Sequence, residues 1–321
     1  MKSSRKYKRN TIPWLILLGI AILFSIVLIV FAREDSNTDS KNASPMTTVT
    51  GRQSVTQIPV VRLPSVLVES SGLAMTSSGK IWSHNDSGDE SKLYCLDSSG
   101  SLLRTITISN ATNVDWEELA VDTQNRIYVC DVGNNNNNRN DQTIYRIPDP
   151  ETFVQNDIAA EVIRFSFEDQ NGFPPPPSER NYDLEAVIWH NDSLFMFTKD
   201  RTSPFAGYTK MYKIPATPGT HVAKAAGSRY LGNNLSSAWV TSADIHSASG
   251  KLVLLVNNRL IIFSDYPGNR FFDGKTTEYP FTVLPGQVEA ILFLSETKLY
   301  MTEEGMGSTA GFLYEINLPV K

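Results

Sequence analysis

The chain has 321 residues, 41% of them hydrophobic and 20% charged, enough for one large folded domain or two smaller ones. Net charge is −5, but Lys2, Arg5, Lys6, Lys8 and Arg9 crowd the first ten residues; without those five, 24 basic residues face 34 acidic ones, or −10. So acidic a body argues against nucleic acid and suits cations or basic partners, while two cysteines, Cys95 and Cys130, are too few for a disulfide scaffold and fit no zinc spacing.

Residues 1–11 read as a basic cytoplasmic tail. Ile12 to Ala32 is an uncharged apolar run, long enough as a helix to cross a bilayer, with Trp14 where an interfacial aromatic belongs. The basic cluster before it and Arg33, Glu34 and Asp35 after it predict a single-pass anchor with the N-terminus cytoplasmic and the remainder extracytoplasmic. A cleaved signal peptide is the rival, but the run exceeds the usual signal core. Residues 33–56 are rich in Ser, Thr, Asn and Asp and read as a flexible linker.

From residue 57 to the end, short apolar runs alternate with Gly, Asn, Asp, Ser and Pro clusters, and no helical period persists. One hairpin recurs at 69–86, 115–131, 183–200, 241–258 and 287–304: acidic start, apolar strand, polar turn, second strand. Anchoring on the first apolar residue gives Leu73, Leu119, Val187, Ile245 and Ile291. A third strand follows each copy, as in Leu93–Leu96 and Ile144–Ile147. Outer strands are expected at 103–108, 162–167, 228–231 and 279–284. The last copy runs out at Lys321, and the unassigned stretch 58–63 can complete it. The fold class is therefore all-β: a β-propeller over 57–321, of five four-stranded blades closed by an N-terminal strand. Six blades remain open, because the interval from Leu119 to Val187 is long and contains the prolines 174–177.

In such hairpins the start of the first strand and the end of the second lie at one edge. Starts contribute Glu69, Asp115, Glu117, Glu118, Asp183, Glu185, Asp244 and Glu289. Ends contribute Asn85, Asp86, Asp131, Asn134, Asn135, Asp200, Asn257, Asn258, Glu303 and Glu304, with Arg139, Lys199, Arg201 and Arg259 among them. The opposite turns are short and neutral. This acidic edge is the expected ligand face, with Glu117, Glu118, Asp131, Arg139, Glu185, Asp200, Arg201, Arg259 and Glu289 as candidate ligand-binding residues. Glu117, Glu185 and Glu289 hold equivalent repeat positions, and carboxylates with amides suit Ca²⁺ or another divalent cation. Asp and Asn also gather at strand ends simply because they make turns. No nucleophile elbow, zinc-protease motif or phosphate loop is present, and the four histidines have no ligand spacing. Trp82 and Trp116 read as core residues between blades.

The motifs WSHNDSG (82–88), LYCLDSSG (93–100), DWEELAVD (115–122) and YVCDVGNN (128–135) resemble uncharacterised extracytoplasmic bacterial propeller proteins, loosely similar to the SdiA-regulated, NHL and SMP-30-type propellers. The SMP-30 and gluconolactonase resemblance implies a divalent cation at the channel mouth held by Glu, Asn and Asp. On this chain that means Glu69 or Glu117, Asn134 and Asp244, beside Glu185 and Glu289 from the repeat. The expected function is a membrane-anchored propeller binding a protein partner or small-molecule ligand at its acidic face. The alternative is a metal-dependent hydrolase of lactones, phosphoesters or carboxyl esters.

Overall fold

The protein is described by a computed structural model covering residues 53–319. The basic tail 1–11, the apolar run 12–32 and nearly all of the linker 33–56 lie outside the described residues. No helix among the described residues is long and apolar enough to cross a membrane. Val55, at the end of the stretch read as linker, is 2% exposed and bridges Phe281.

The described chain is almost entirely strand. β1 is Gln57–Arg62; β2 to β5 are Ser70–Met75, Ile81–Asn85, Lys92–Leu96 and Leu102–Ile108. β6, β7, β8, the two-residue β9 and β10 are Trp116–Val121, Ile127–Asp131, Thr143–Ile147, Asp157–Ile158 and Glu161–Phe167. β11 to β14 are Asp183–His190, Ser193–Lys199, Tyr208–Pro215 and Gly219–Tyr230. The one α-helix among the described residues, α1, is the short Leu235–Ala238. β15 to β18 are Val240–His246, Lys251–Val256, Arg259–Ser264 and Lys275–Pro280, and β19 to β21 are Val288–Ser295, Lys298–Glu303 and Phe312–Asn317.

Each repeat folds as an antiparallel meander: β2-β3-β4-β5, β6-β7-β8-β10, β11-β12-β13-β14 and β15-β16-β17-β18. The last, β19-β20-β21, takes β1 as its outer strand, antiparallel from Gln57↔Ile316 to Arg62↔Phe312. The first and last parts of the domain are thereby joined by hydrogen bonds. Two pairings lie outside the repeat: β9 adds in parallel to β5, and β10 pairs in parallel with β14, merging two meanders into an eight-stranded sheet.

The first strands β2, β6, β11, β15 and β19 pack each on the next, and β19 packs back on β2. Five apolar clusters fill the spaces between successive meanders. Trp82 and Trp116 sit fully buried between the first and second, and Tyr128, Leu184 and Tyr212 lie between the second and third. Phe197, Leu254 and Phe263 lie between the third and fourth. Val253, Ile291 and Met301 follow between the fourth and fifth, and Leu73, Ile81 and Leu292 close the circuit. Burial of each such side chain contributes about 2 kcal/mol, so the fold is held by inter-sheet cores of this propeller type rather than by one central one. Cys95 and Cys130 are free buried thiols in different clusters.

Three expectations are corrected. The third outer strand, β14, begins at Gly219, well before residue 228, because its parallel partner β10 extends the pairing. The fourth, β18, ends at Pro280, so Val283 and Leu284 belong to the following loop. The prolines 174–177 add no strand and lead into a single 3-10 turn, Pro177–Glu179.

Candidate functional site

Every first strand carries a β-bulge near its start. Trp116 pairs with Asp131 and Glu118 with Cys130, leaving Glu117 unpaired between them. The same interruption isolates Glu185 in β11, Thr241 in β15 and Glu289 in β19, and in β2 it puts Ser71 and Gly72 opposite one residue. A bulge re-aims its side chain out of the pleat. The structural ring is thus Ser71, Glu117, Glu185, Thr241 and Glu289 at the end of the domain where first strands begin and second strands finish, called here the mouth. Within it, Glu289 Oε2 and Thr241 Oγ1 are buried without a hydrogen-bond partner among the described residues.

Beside this ring, Asp86, Asp115 and Glu117 each offer a carboxylate oxygen, all within 4.8 Å of one another. Asp86 follows β3, Asp115 precedes β6, and Glu117 is the β6 bulge residue. Gly133, just after β7, makes room for them: a Cβ there would stand 2.2 Å from Glu117 Oε1 and 2.5 Å from Asp115 Cγ. Burial, with Asp86 and Asp183 adding repulsion, pushes the Asp115 carboxyl up to about 7. Burial, then Glu185, Asp86 and Asp115, raises Glu117 well above the carboxylate range. Asp86 is raised by burial and by Glu69. Glu304, after β20, is pushed to about 8 by burial and by Glu289, Asp86 and Glu69. Burial leads each of these shifts and carboxylate repulsion adds to it, while the fields of Arg139 on Asp115 and of Lys199 on Asp86 and Glu304 oppose it without cancelling it.

Across the mouth that charge is supplied internally. Lys199 Nζ lies 2.9 Å from Glu185 Oε1, and Arg201 reaches Asp183 Oδ2 at 2.6 Å and Glu185 Oε1 at 3.3 Å. Arg201 also bonds Asn135 Oδ1. Trp239 walls the pair, its ring 5.4 Å from Lys199 Nζ and 4.7 Å from the Arg201 guanidinium, and it is pinned by a 2.7 Å bond from Nε1 to the Asp200 carbonyl. Burial alone would lower the Lys199 amine; Glu185, Glu289, Asp183 and Glu117 outweigh it and hold the amine charged. Glu289 rises to about 6 through burial, against the opposing field of Lys199.

The remaining candidate residues have other employment. Glu118 is fully buried and reaches β15. Asp131 Oδ1 accepts from Arg139 Nη1 at 2.9 Å and from the Asp115 amide at 3.0 Å, so both Asp131 and Arg139 brace the loop below Asp115. Asp200 caps its own loop through the amides of Thr202, Gly207 and Tyr208. Arg259 binds the Leu231 and Ser237 carbonyls of the segment between β14 and β15, and Glu278. Asn134 shapes its turn by accepting from the Arg139 amide, and its own amide donates to Asp183 Oδ1. Glu69 is exposed at the rim. Asp244 lies midway along β15, accepting from the Phe293 and Ile245 amides, with burial raising it to about 6. Of the six proposed metal ligands, only Glu117 belongs to the three-carboxylate group; Glu185 and Glu289 share the ring around Lys199.

Two residues escaped sequence reading. The fourth copy's anchor is Ala243, not Ile245, because the bulge falls at Thr241; a two-residue slip preserves strand alternation and leaves no mark in the apolar pattern. Trp239 lies outside the repeat, so no periodicity pointed to it.

No protein-family model and no curated protein matches the chain. Among solved structures, the PQQ-bound aldose sugar dehydrogenase of Streptomyces coelicolor is similar with a TM-score of 0.49 and 11% identity, over 84% of this chain and 99% of that one. A gluconolactonase of Xanthomonas campestris is similar with a TM-score of 0.45 and 12% identity, over 83% and 90%. At these scores the likeness carries no assignment of family or activity to this chain.

Proposed function

We propose that the protein is a five-bladed propeller, anchored to a membrane by residues 12–32 with the propeller extracytoplasmic, whose mouth binds a positively charged ligand group. The observation that carries this reading is the triad of Asp86, Asp115 and Glu117, whose oxygens lie within 4.8 Å with no lysine or arginine among the described residues bonded to them. Carboxylates crowded into one small volume hold their protons above the usual range, and a cation that joins them favours the ionised form. The donors are all hard oxygens and Gly133 keeps their space open, so they fit Ca²⁺, Mg²⁺ or Mn²⁺ rather than Zn²⁺ or Cu²⁺. Three carboxylates supply part of the six to eight oxygens Ca²⁺ takes, and solvent or a ligand's own oxygens would complete the set.

The test is calorimetric titration of the full chain in detergent with Ca²⁺, Mg²⁺, Mn²⁺ and Zn²⁺. Saturable binding of a hard cation, with protons released and lost in Glu117→Gln, supports the reading; no heat with any of the four rejects a metal ion at the triad.

A metal-dependent hydrolase is the second reading. It is favoured by Asp115, a member of the triad whose carboxyl is raised to about 7 and is therefore able to accept a proton at neutral pH, across the mouth from Lys199 and Arg201. Turnover of lactone, phosphoester or aryl-ester substrates that depends on both metal and Asp115 would establish it.

A further inference from the structure

The mouth is ringed by the loops that lead from each outer strand to the next first strand, because every outer strand ends at that face. All five loops expose a large apolar side chain: Val66 before β2, Val114 before β6, Phe173 before β11, Leu235 before β15, and Val283 with Leu284 before β19, each 42–71% exposed. Met306, in the loop between β20 and β21 at the same face, is 88% exposed. Among the described residues, the turns at the opposite face expose only one such residue, Val154. Single exposed apolar residues need no explanation, but one on every loop around an acidic centre is an arrangement a bound ion does not require.

We propose that the mouth and its rim form a docking surface for a protein partner that inserts a lysine side chain between Asp86, Asp115 and Glu117 while its neighbouring apolar side chains cover the crossing loops. The proposal rests on the reading that the mouth binds a cationic group and names that group.

Charge complementarity selects a basic partner: among the described residues no lysine or arginine forms an ion pair with the triad, and Glu289 Oε2 has no hydrogen-bond partner among them in a side chain only 5% exposed. Oxygen spacing admits the ammonium. Three N–H···O bonds of ~2.8 Å from one tetrahedral nitrogen put the acceptors ~4.6 Å apart, and the three carboxylate oxygens lie within 4.8 Å of one another. The mouth already holds one lysine against a carboxylate, Lys199 at 2.9 Å from Glu185 with Trp239 alongside. An apolar rim around a desolvated polar centre is also the anatomy by which protein interfaces exclude water from their strongest contacts.

The probe is a displayed library of random heptapeptides, selected on the full chain in detergent and followed by fluorescence anisotropy of the most enriched sequence. Enriched peptides should carry one lysine flanked by apolar residues. Replacing that lysine by norleucine, or changing the protein by Val283→Ser with Leu284→Ser, should weaken binding at least about tenfold. Val154→Ser should leave it unchanged. Enrichment of peptides without a basic residue, or binding indifferent to the rim substitutions, overturns the proposal. So does concentration-dependent self-association abolished by those same substitutions, which would make a second copy the occupant. If Ca²⁺ still binds calorimetrically while no peptide is enriched, docking falls and the cation reading survives; if neither binds, both fall.

Discussion

The Glu118 carboxylate on β6 reaches the Ser242 hydroxyl on β15, two meanders away, at 2.5 Å, and also accepts from the Ala243 amide at 3.1 Å. Its other oxygen accepts from the Leu119 amide at 2.9 Å, while Ser242 Oγ accepts from the Ile291 amide at 3.1 Å. Three of the five first strands are therefore tied through two buried side chains beneath the mouth, Glu118 and Ser242. Removing Glu118 should destabilise the domain without touching the cation cluster. Glu118→Ala leaves buried donors unsatisfied, a cost of roughly 3 kcal/mol, and Glu118→Gln should cost less. Denaturant unfolding checks the size, and calorimetry should show cation affinity nearly unchanged in whatever remains folded.

Metal-free stability should fall as pH rises. Unfolded Asp and Glu ionise near 3.8 and 4.5, whereas folded Asp115 and Glu304 hold their protons to about 7 and about 8. Between those limits the folded state binds more protons than the unfolded state, so stability is full below the unfolded values and is lost as pH climbs through the folded ones. Thermal unfolding from pH 4.5 to 8.5 should show a declining midpoint, and excess Ca²⁺ should flatten the decline. A midpoint that rises with pH without metal would contradict the charge balance described for the mouth.

Neutralising one member of the triad should move stability and binding in opposite directions. Asp115→Asn relieves repulsion from Asp86 and Asp183, so the metal-free midpoint at pH 8 should increase while Ca²⁺ affinity drops about tenfold or more. Paired thermal and calorimetric titrations of the same preparation read both effects.

Gly133→Ala tests the same site sterically. The new Cβ would fall at 2.2 Å from Glu117 Oε1, so the carboxylates must part. Cation affinity should drop at least about tenfold with every ligand residue still present. Unchanged affinity would show that the cation does not need these oxygens together.

Lys199→Met should be destabilising at neutral pH, by up to about 3 kcal/mol, since it leaves the buried Glu185 carboxylate only Arg201, at 3.3 Å. Adding Glu185→Gln should recover much of that loss. A double-mutant cycle by denaturant unfolding checks it, and additive effects would mean that Lys199 and Glu185 are not coupled.

The repeat was legible because each copy must bury an apolar first strand and turn at both ends, which forces the same run of apolar and turn residues at Leu73, Leu119, Val187 and Ile291. The role of residues 57–62 was legible for a related reason: the last repeat lacked an outer strand, and an unpaired strand edge invites the one free candidate. The fourth repeat was not, because strand alternation has a period of two and a slip from Ala243 to Ile245 leaves it intact.

The sequence by itself determined the fold type and the face of the domain on which acidic residues gather, since both follow from local periodicity and hairpin geometry. Only the tertiary structure decided which acids share space. Glu117, Glu185 and Glu289 are equivalent by position, yet Lys199 neutralises one side of the ring while Asp86 and Asp115 crowd the other. Repeat position places a backbone, but the charge balance at a carboxylate depends on what neighbouring elements bring within a few ångströms of it, and no periodicity encodes that.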